Sequence, residues 1–234
     1  MSRDFDDGPV ITGNGSGIGD VKRYMTLVYN RMFAALSLTG GVAMICASSQ
    51  GILEFMLGGF TTILMLATIG IVIYLSAKIN TISAERASSL FWIYSALMGA
   101  WISPILAMYT GESIAMSFFV AAAFFGGMSL YGRLTNRDLT SLGSFMFIGV
   151  ISVLIASFAN AFMGSSRLQL GLSVLSVIIF CGLTAYDVQK IMRFYNGSDS
   201  DEILRKKAVF GALSLYLDFI NIFLALLRIM GRRR

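Results

Sequence analysis

The stretch Ala208-Val209-Phe210-Gly211-Ala212-Leu213-Ser214-Leu215-Tyr216-Leu217-Asp218-Phe219-Ile220-Asn221-Ile222-Phe223-Leu224-Ala225-Leu226-Leu227 is an apolar run broken near its middle by one carboxylate. Roughly 20 residues of helix cross the hydrocarbon core of a bilayer, so the run has the length of a transmembrane helix. Asp218 then lies about ten residues from either end, where an ionisable group costs at least ~2.5–3.5 kcal/mol on insertion scales. Such a residue needs a protein partner, a water-filled cavity or a proton. Two readings follow: a structural hydrogen-bonding acid, or a site for an ion or a proton.

Working outward, six more apolar runs precede it, at about 32–53, 57–77, 88–109, 113–131, 141–163 and 168–187. All are of membrane-crossing length. The strands of a membrane barrel would be about half as long and would alternate with period two. The expected fold is therefore an all-α integral membrane bundle of seven transmembrane helices. Composition agrees: 56% of the 234 residues are hydrophobic and only 13% charged, against roughly a quarter charged in soluble domains. One membrane domain, residues 24–234, is expected, preceded by a polar, glycine-rich arm, residues 1–23, that reads as flexible. The arm lacks the apolar core of a signal peptide. Its Gly13-Asn14-Gly15-Ser16-Gly17-Ile18-Gly19 segment does not complete a phosphate loop. Residues 24–31 are expected to start an interfacial helix that leads into the bilayer.

The formal net charge is +5, but the basic residues sit in short connections between apolar runs, which marks topology rather than nucleic-acid binding. Arg3, Lys22, Arg23 and Arg31 precede the first run. Lys78 and Arg86 follow the second, Arg133 and Arg137 the fourth, and Lys190, Arg193, Arg205, Lys206 and Lys207 the sixth. The first and third connections carry no Lys or Arg, and the fifth carries only Arg167. By the positive-inside rule the N-terminus is cytoplasmic. Seven crossings then put Arg228, Arg232, Arg233 and Arg234 outside, against the rule; a re-entrant segment is the alternative.

Within the runs, Gly40-Gly41, Gly58-Gly59 and Gly126-Gly127 are expected to let helices approach closely. Pro104 frees a backbone carbonyl and is expected to kink the third helix, with a bend lining an internal cavity as the sharper reading. Cys46 and Cys181 read as small hydrophobes. No histidine is present, which removes the usual metal ligand and the usual pH switch. No nucleophile–base set or nucleotide loop suggests an enzyme, and Glu54, Glu85 and Glu112 read as loop or interfacial carboxylates.

Asp187 closes the sixth run, in Thr184-Ala185-Tyr186-Asp187-Val188-Gln189-Lys190-Ile191. On spacing alone it is a boundary residue beside Lys190. At 1.5 Å per residue, Asp218 would lie roughly 15 Å below that boundary. Bringing the two acids together would require a shifted or tilted sixth helix.

The segments 184–191 and 212–223, the second continuing into Leu226-Leu227-Arg228, resemble the Bax inhibitor-1 family (transmembrane Bax-inhibitor-motif proteins) on its bacterial side. The resemblance covers about residues 24–231. It implies a bundle whose last helix is central, a pH-sensitive calcium leak channel, and Asp187 and Asp218 as the acidic pair that senses protons and gates the pore. It also implies a basic latch for the sixth-helix aspartate, for which Lys78 is the candidate. Tyr186, Tyr216 and Asn221, inside the same motifs, are the supporting polar groups. Calcium is expected as the permeating ion, with transient contacts at Asp187 and Asp218 and no tightly bound cofactor. The bilayer, protons and a membrane-protein partner complete the expected interactions, with no nucleic acid, and a bacterial inner membrane is the expected location. The alternatives are a non-conducting regulator of a membrane-bound ATP-dependent protease or another membrane protein, and a proton-coupled cation transporter. Physically, buried neighbouring carboxylates cannot easily both ionise, so they share a proton and titrate as one unit. Without histidine, a response between about pH 6 and 8 falls to acids of this kind.

Overall fold

A computed structural model describes residues 18–78 and 81–234. Among these residues the chain is almost wholly helical, with seven helical spans long and apolar enough to cross a membrane. In chain order the helices are α1 (Ile18–Ser48), α2 (Gln50–Phe55), α3 (Thr61–Lys78), α4 (Ala84–Ala107), α5 (Gly111–Leu134), α6 (Thr140–Met163), α7 (Ser166–Phe194) and α8 (Asp201–Met230). A π-helical turn, Met56–Phe60, joins α2 to α3, so the two form one crossing. The break falls at Gly58 and Gly59, and Gly59 has φ 104°, a conformation that side chains with a Cβ rarely adopt.

Helix α8 is apolar on every face and is the centre of the bundle. In its membrane window 78% of residues are buried, against 44% or less for every other span. A helix hydrophobic all round belongs in a core, and α1, α4, α5 and α7 pack around this one. Helix α6 rests chiefly on α7, and α3 on α4, so both present broad apolar faces outward. Ser200 caps the start of α8 by accepting a hydrogen bond from the Ile203 N–H, with Asp201 and Glu202 in the first turn.

Several expectations need correction. Residues 18–23 are already helical, and the rest of the expected arm, 1–17, lies outside the described residues. Residues 24–31 do not lie along the interface. Tyr24, Val28 and Met32 recur on one helical face and are fully buried in the bundle. The three glycine pairs do not mediate close packing, since a Cβ on any of their six residues would meet nothing within 4 Å. The close approach occurs elsewhere: a Cβ on Gly132 of α5 would stand 2.2 Å from the Ala185 carbonyl oxygen of α7. A break in helical geometry falls at Gly58-Gly59, while Pro104 lies inside the continuous helix α4. Pro104 cannot donate to the Ala100 carbonyl, and the Ser103 hydroxyl does so instead, at 2.8 Å.

The chain end fits seven crossings. Arg233 pairs with Tyr109 in an isolated antiparallel bridge. The Thr110 N–H donates to the Arg232 carbonyl at 3.0 Å, and the Arg234 N–H to the Met108 carbonyl at 2.9 Å. The Arg232 N–H also donates to Ser113 Oγ at 2.9 Å. Residues 231–234 therefore lie with the α4–α5 turn, at the end of the bundle opposite the α7–α8 loop. A re-entrant last segment is excluded. In a protein with Cys46 and Cys181 replaced, Ser198→Cys and Arg233→Cys should react with an impermeant thiol reagent from opposite sides of the membrane. Labelling of both from the same side would contradict the seven-pass bundle.

Candidate functional site

The site is built by the antiparallel pairing of α7 and α8. Their register is set where Gly211 lies against Ile191, close enough that a methyl on Gly211 would meet that side chain at 3.1 Å. Seven residues further along each helix, in opposite directions, stand Thr184 and Asp218. Asp187 is one helical turn from Thr184, an axial offset of ~4.5 Å. The apparent mismatch in depth thus shrinks to about one helical turn, ~4.5 Å. Helix α7 continues seven residues beyond Asp187, to Phe194. Phe194 is level with the start of the apolar part of α8, where its carbonyl accepts from Lys207 Nζ at 2.7 Å. Asp187 therefore lies ~10 Å inside that level and Asp218 ~15 Å inside it.

Asp218 is only 3% exposed. Its carboxyl lies within electrostatic reach of Asp187, with the Thr184 hydroxyl and the Cys181 thiol beside it. Cys181, Thr184 and Asp187 recur every three residues and so share the face of α7 turned to Asp218. Thr184 donates its hydroxyl hydrogen to the Phe180 carbonyl at 2.7 Å. Asp218 Oδ2 is buried without a hydrogen-bond partner. A buried oxygen of this kind is costly to leave unsatisfied, so it marks the place where a proton, water or cation fits. Asp187 is half-buried, and the cation acting on it is Lys190, one turn along α7. The Lys190 ammonium also stands 5.4 Å from the Tyr186 ring centre and 5.6 Å from that of Phe194.

The other site candidates separate from the pair. Lys78 ends α3 with an exposed side chain and takes part in none of the ion pairs among the described residues. Ser76, two residues earlier, shares with Lys190 and Lys206 a cavity of about 510 Å³ at this end of the bundle. Tyr186 packs on Gly143 of α6. Tyr216 faces away from α7, and its hydroxyl bonds Thr39 Oγ1 at 2.7 Å; Thr39 in turn donates to the Ser95 carbonyl at 2.8 Å. That chain ties α8 to α1 and α4. Asn221 donates to the Leu217 carbonyl of its own helix at 2.8 Å. Among the described residues no three His, Cys, Asp or Glu side chains are grouped to hold a metal ion. Calcium at the two aspartates would need most of its six to eight oxygen ligands from water or backbone.

A family of membrane proteins shares this chain. The model for the family described as inhibitor of apoptosis-promoting Bax1 matches residues 21–234. The chain belongs to the Bax inhibitor-1 family. Among its family relatives, the inner membrane protein YbhL of Escherichia coli (strain K12) is 43% identical over 218 residues, covering 92% of this chain and 93% of YbhL. An uncharacterized protein of Rickettsia prowazekii is 44% identical over 215 residues, 92% of this chain and 91% of its own length. An uncharacterized membrane protein of Streptococcus pyogenes serotype M1 is 41% identical over 162 residues, 69% of this chain and 70% of its own. Seven apolar spans and an inner-membrane relative fit this Bax inhibitor-1 family member to a multi-pass place in an inner membrane.

One feature beside the pair is not evident from the motifs. The Gln189 side chain, two residues after Asp187, accepts from the Leu139 N–H at 2.9 Å and donates to the Arg137 carbonyl at 2.8 Å. Arg193 adds a 2.9 Å ion pair to Asp138. The α5–α6 loop is thereby fastened to the turn of α7 that carries Asp187. Hydrogen bonds from the Thr140 hydroxyl and N–H, and then from Arg193, hold the Asp138 carboxyl down at about 2. A depressed carboxylate gives a contact present above its ordinary range and lost only as pH falls through about 2. The Asp138–Arg193 contact is therefore constant near neutrality and is no sensor there. Gln189→Ala leaves two backbone groups without their partner and should destabilise the protein by about 1–3 kcal/mol. An unchanged melting temperature would show that the loop is not fastened this way.

Proposed function

We propose that the protein is a pH-sensitive calcium leak pathway of a bacterial inner membrane, gated by Asp187 and Asp218. The observation that supports this reading best is the unpartnered Oδ2 of Asp218, buried deep in the central helix and electrostatically linked to a second carboxyl one turn away in register. A shared proton holds two such groups together; its loss leaves two like charges in a medium that screens them poorly. Repulsion then acts across the α7–α8 contact and favours their separation. The oxygens so exposed are hard ligands suited to calcium and unsuited to soft metals. The helix ends that carry Lys78, Arg86, Arg133, Arg137 and Lys190 share one end of the bundle with the start of α1, which supports a cytoplasmic N-terminus.

Calcium flux into liposomes containing the purified protein, measured across pH, tests the reading. Asp187→Asn and Asp218→Asn should each flatten the pH dependence. The double substitution should add little, because the two groups act as one unit. Asparagine keeps nearly the same volume, and the melting temperature of each variant separates loss of gating from loss of fold. Folded single variants with the wild-type pH profile would overturn the gating pair. A wild-type protein that conducts nothing would favour a non-conducting membrane regulator.

A further inference from the structure

At the opposite end of the bundle, α6, α7 and α8 enclose a polar cleft of about 360 Å³. Its lining includes Asn160 from the last turn of α6, Gln169 and Ser173 from the first turns of α7, Ser176 a turn deeper, and Arg228 from the last turn of α8. No carboxylate lines it. Ser176 is eight residues from Thr184, ~12 Å along α7, so the cleft is distinct from the aspartate pair.

The free donors of this cleft come from its arginine and its two amides. Arg228 makes no ion pair or hydrogen bond among the described residues, which leaves all five guanidinium N–H groups available. Asn160 Oδ1 already accepts from the Ser165 N–H at 3.1 Å, so its NH₂ is the free end. The Gln169 amide has no side-chain hydrogen bond among the described residues. Ser173 and Ser176 donate back to the Gln169 and Leu172 carbonyls, at 2.9 and 2.7 Å, so they supply no donor to the cleft. Arg228 and Gln169 are exposed at the mouth of the cleft and Asn160 is half-buried within it, with no counter-charge in the lining. A cation has no ligand of opposite sign here. A planar or tetrahedral oxyanion matches the guanidinium fork with two parallel hydrogen bonds, and the amides supply the rest.

We infer that this cleft binds a phosphoryl group through Arg228, Asn160 and Gln169. Two sources share that chemistry: the phosphodiester of a phospholipid in the adjoining leaflet, and a small soluble phosphate. An anion bound there also offsets one of the arginines that stand at this end against the usual distribution of charge.

The full-length protein in detergent micelles, with its fold checked by gel filtration and circular dichroism, allows both sources to be tried. Native mass spectrometry counts phosphatidylglycerol adducts, and equilibrium dialysis measures inorganic phosphate. The wild type should bind in at least one arm. Arg228→Gln should weaken that binding at least tenfold, Gln169→Ala should weaken it less, and Arg234→Gln should leave it unchanged. The arm that responds identifies the source. Absence of binding in both arms would overturn the site. So would equal binding by wild type and Arg228→Gln, or an equal loss in Arg234→Gln, which would reveal only general surface charge.

Discussion

A carboxyl group in the middle of a membrane helix has nothing in the lipid to solvate it, and most of this architecture follows from that. Asp218 obliges α8 to lie where protein surrounds it on all sides, so the last helix of the chain becomes the axis of the bundle. Four helices then enclose it. Their contacts divide by face: Tyr216 and its hydroxyl chain hold α8 to α1 and α4, while Asp218, two residues on and turned to the other side, meets α7. On one side of α8 the Tyr216 hydroxyl is hydrogen-bonded, and on the other Asp218 retains an unsatisfied oxygen. Under the proposed gating, that asymmetry puts the mechanical effect of a change of charge at the α7–α8 contact and not on the α1–α4 side.

The same asymmetry extends to what surrounds α7. Its inner turns are fastened to the α5–α6 loop by Gln189 and Arg193, and Gly132 brings α5 into backbone contact at Ala185, two residues before Asp187. The Asp187 turn is thus held on the α5 and α6 side. Separation of the two acids would then fall on α8 moving against a fixed α7, or on α7 moving together with the loop and α5.

Much of this was legible in the amino acids, for a simple reason: twenty apolar residues have one use in a bilayer, and a lone acid among them has few. The number of helices, their order and Asp218 follow from that; Asp187 read as a boundary residue by spacing and became its expected partner only through the family resemblance. What hydropathy does not register is where helices end once they leave the hydrocarbon. Lys190, Arg193, Asp201, Glu202, Arg205, Lys206 and Lys207 are charged, yet they remain helical. Ending the sixth run at Asp187 therefore cut α7 short by two turns and enlarged the mismatch in depth. Thr184 was hidden for a related reason: a threonine in an apolar run reads as neutral, and only its spacing of three from Asp187 and Cys181 signals a common face. Gln189 could not be read at all, since its partners are backbone groups some fifty residues away. The glycine pairs misled because a small residue permits close packing without requiring it; three pairs face open space while single glycines make the contacts.

The central claim is that Asp187 and Asp218 form one titrating unit rather than two separate acids. Infrared difference spectroscopy of the carboxyl C=O stretch, followed through a pH titration in lipid, reports their protonation directly, with isotope-labelled aspartate separating them from glutamate. The account predicts that Asp187→Asn shifts the titration midpoint of the remaining buried carboxyl by at least about one pH unit. Asp218→Asn should do the same to Asp187. Midpoints that stay where they are when the partner is removed would contradict it.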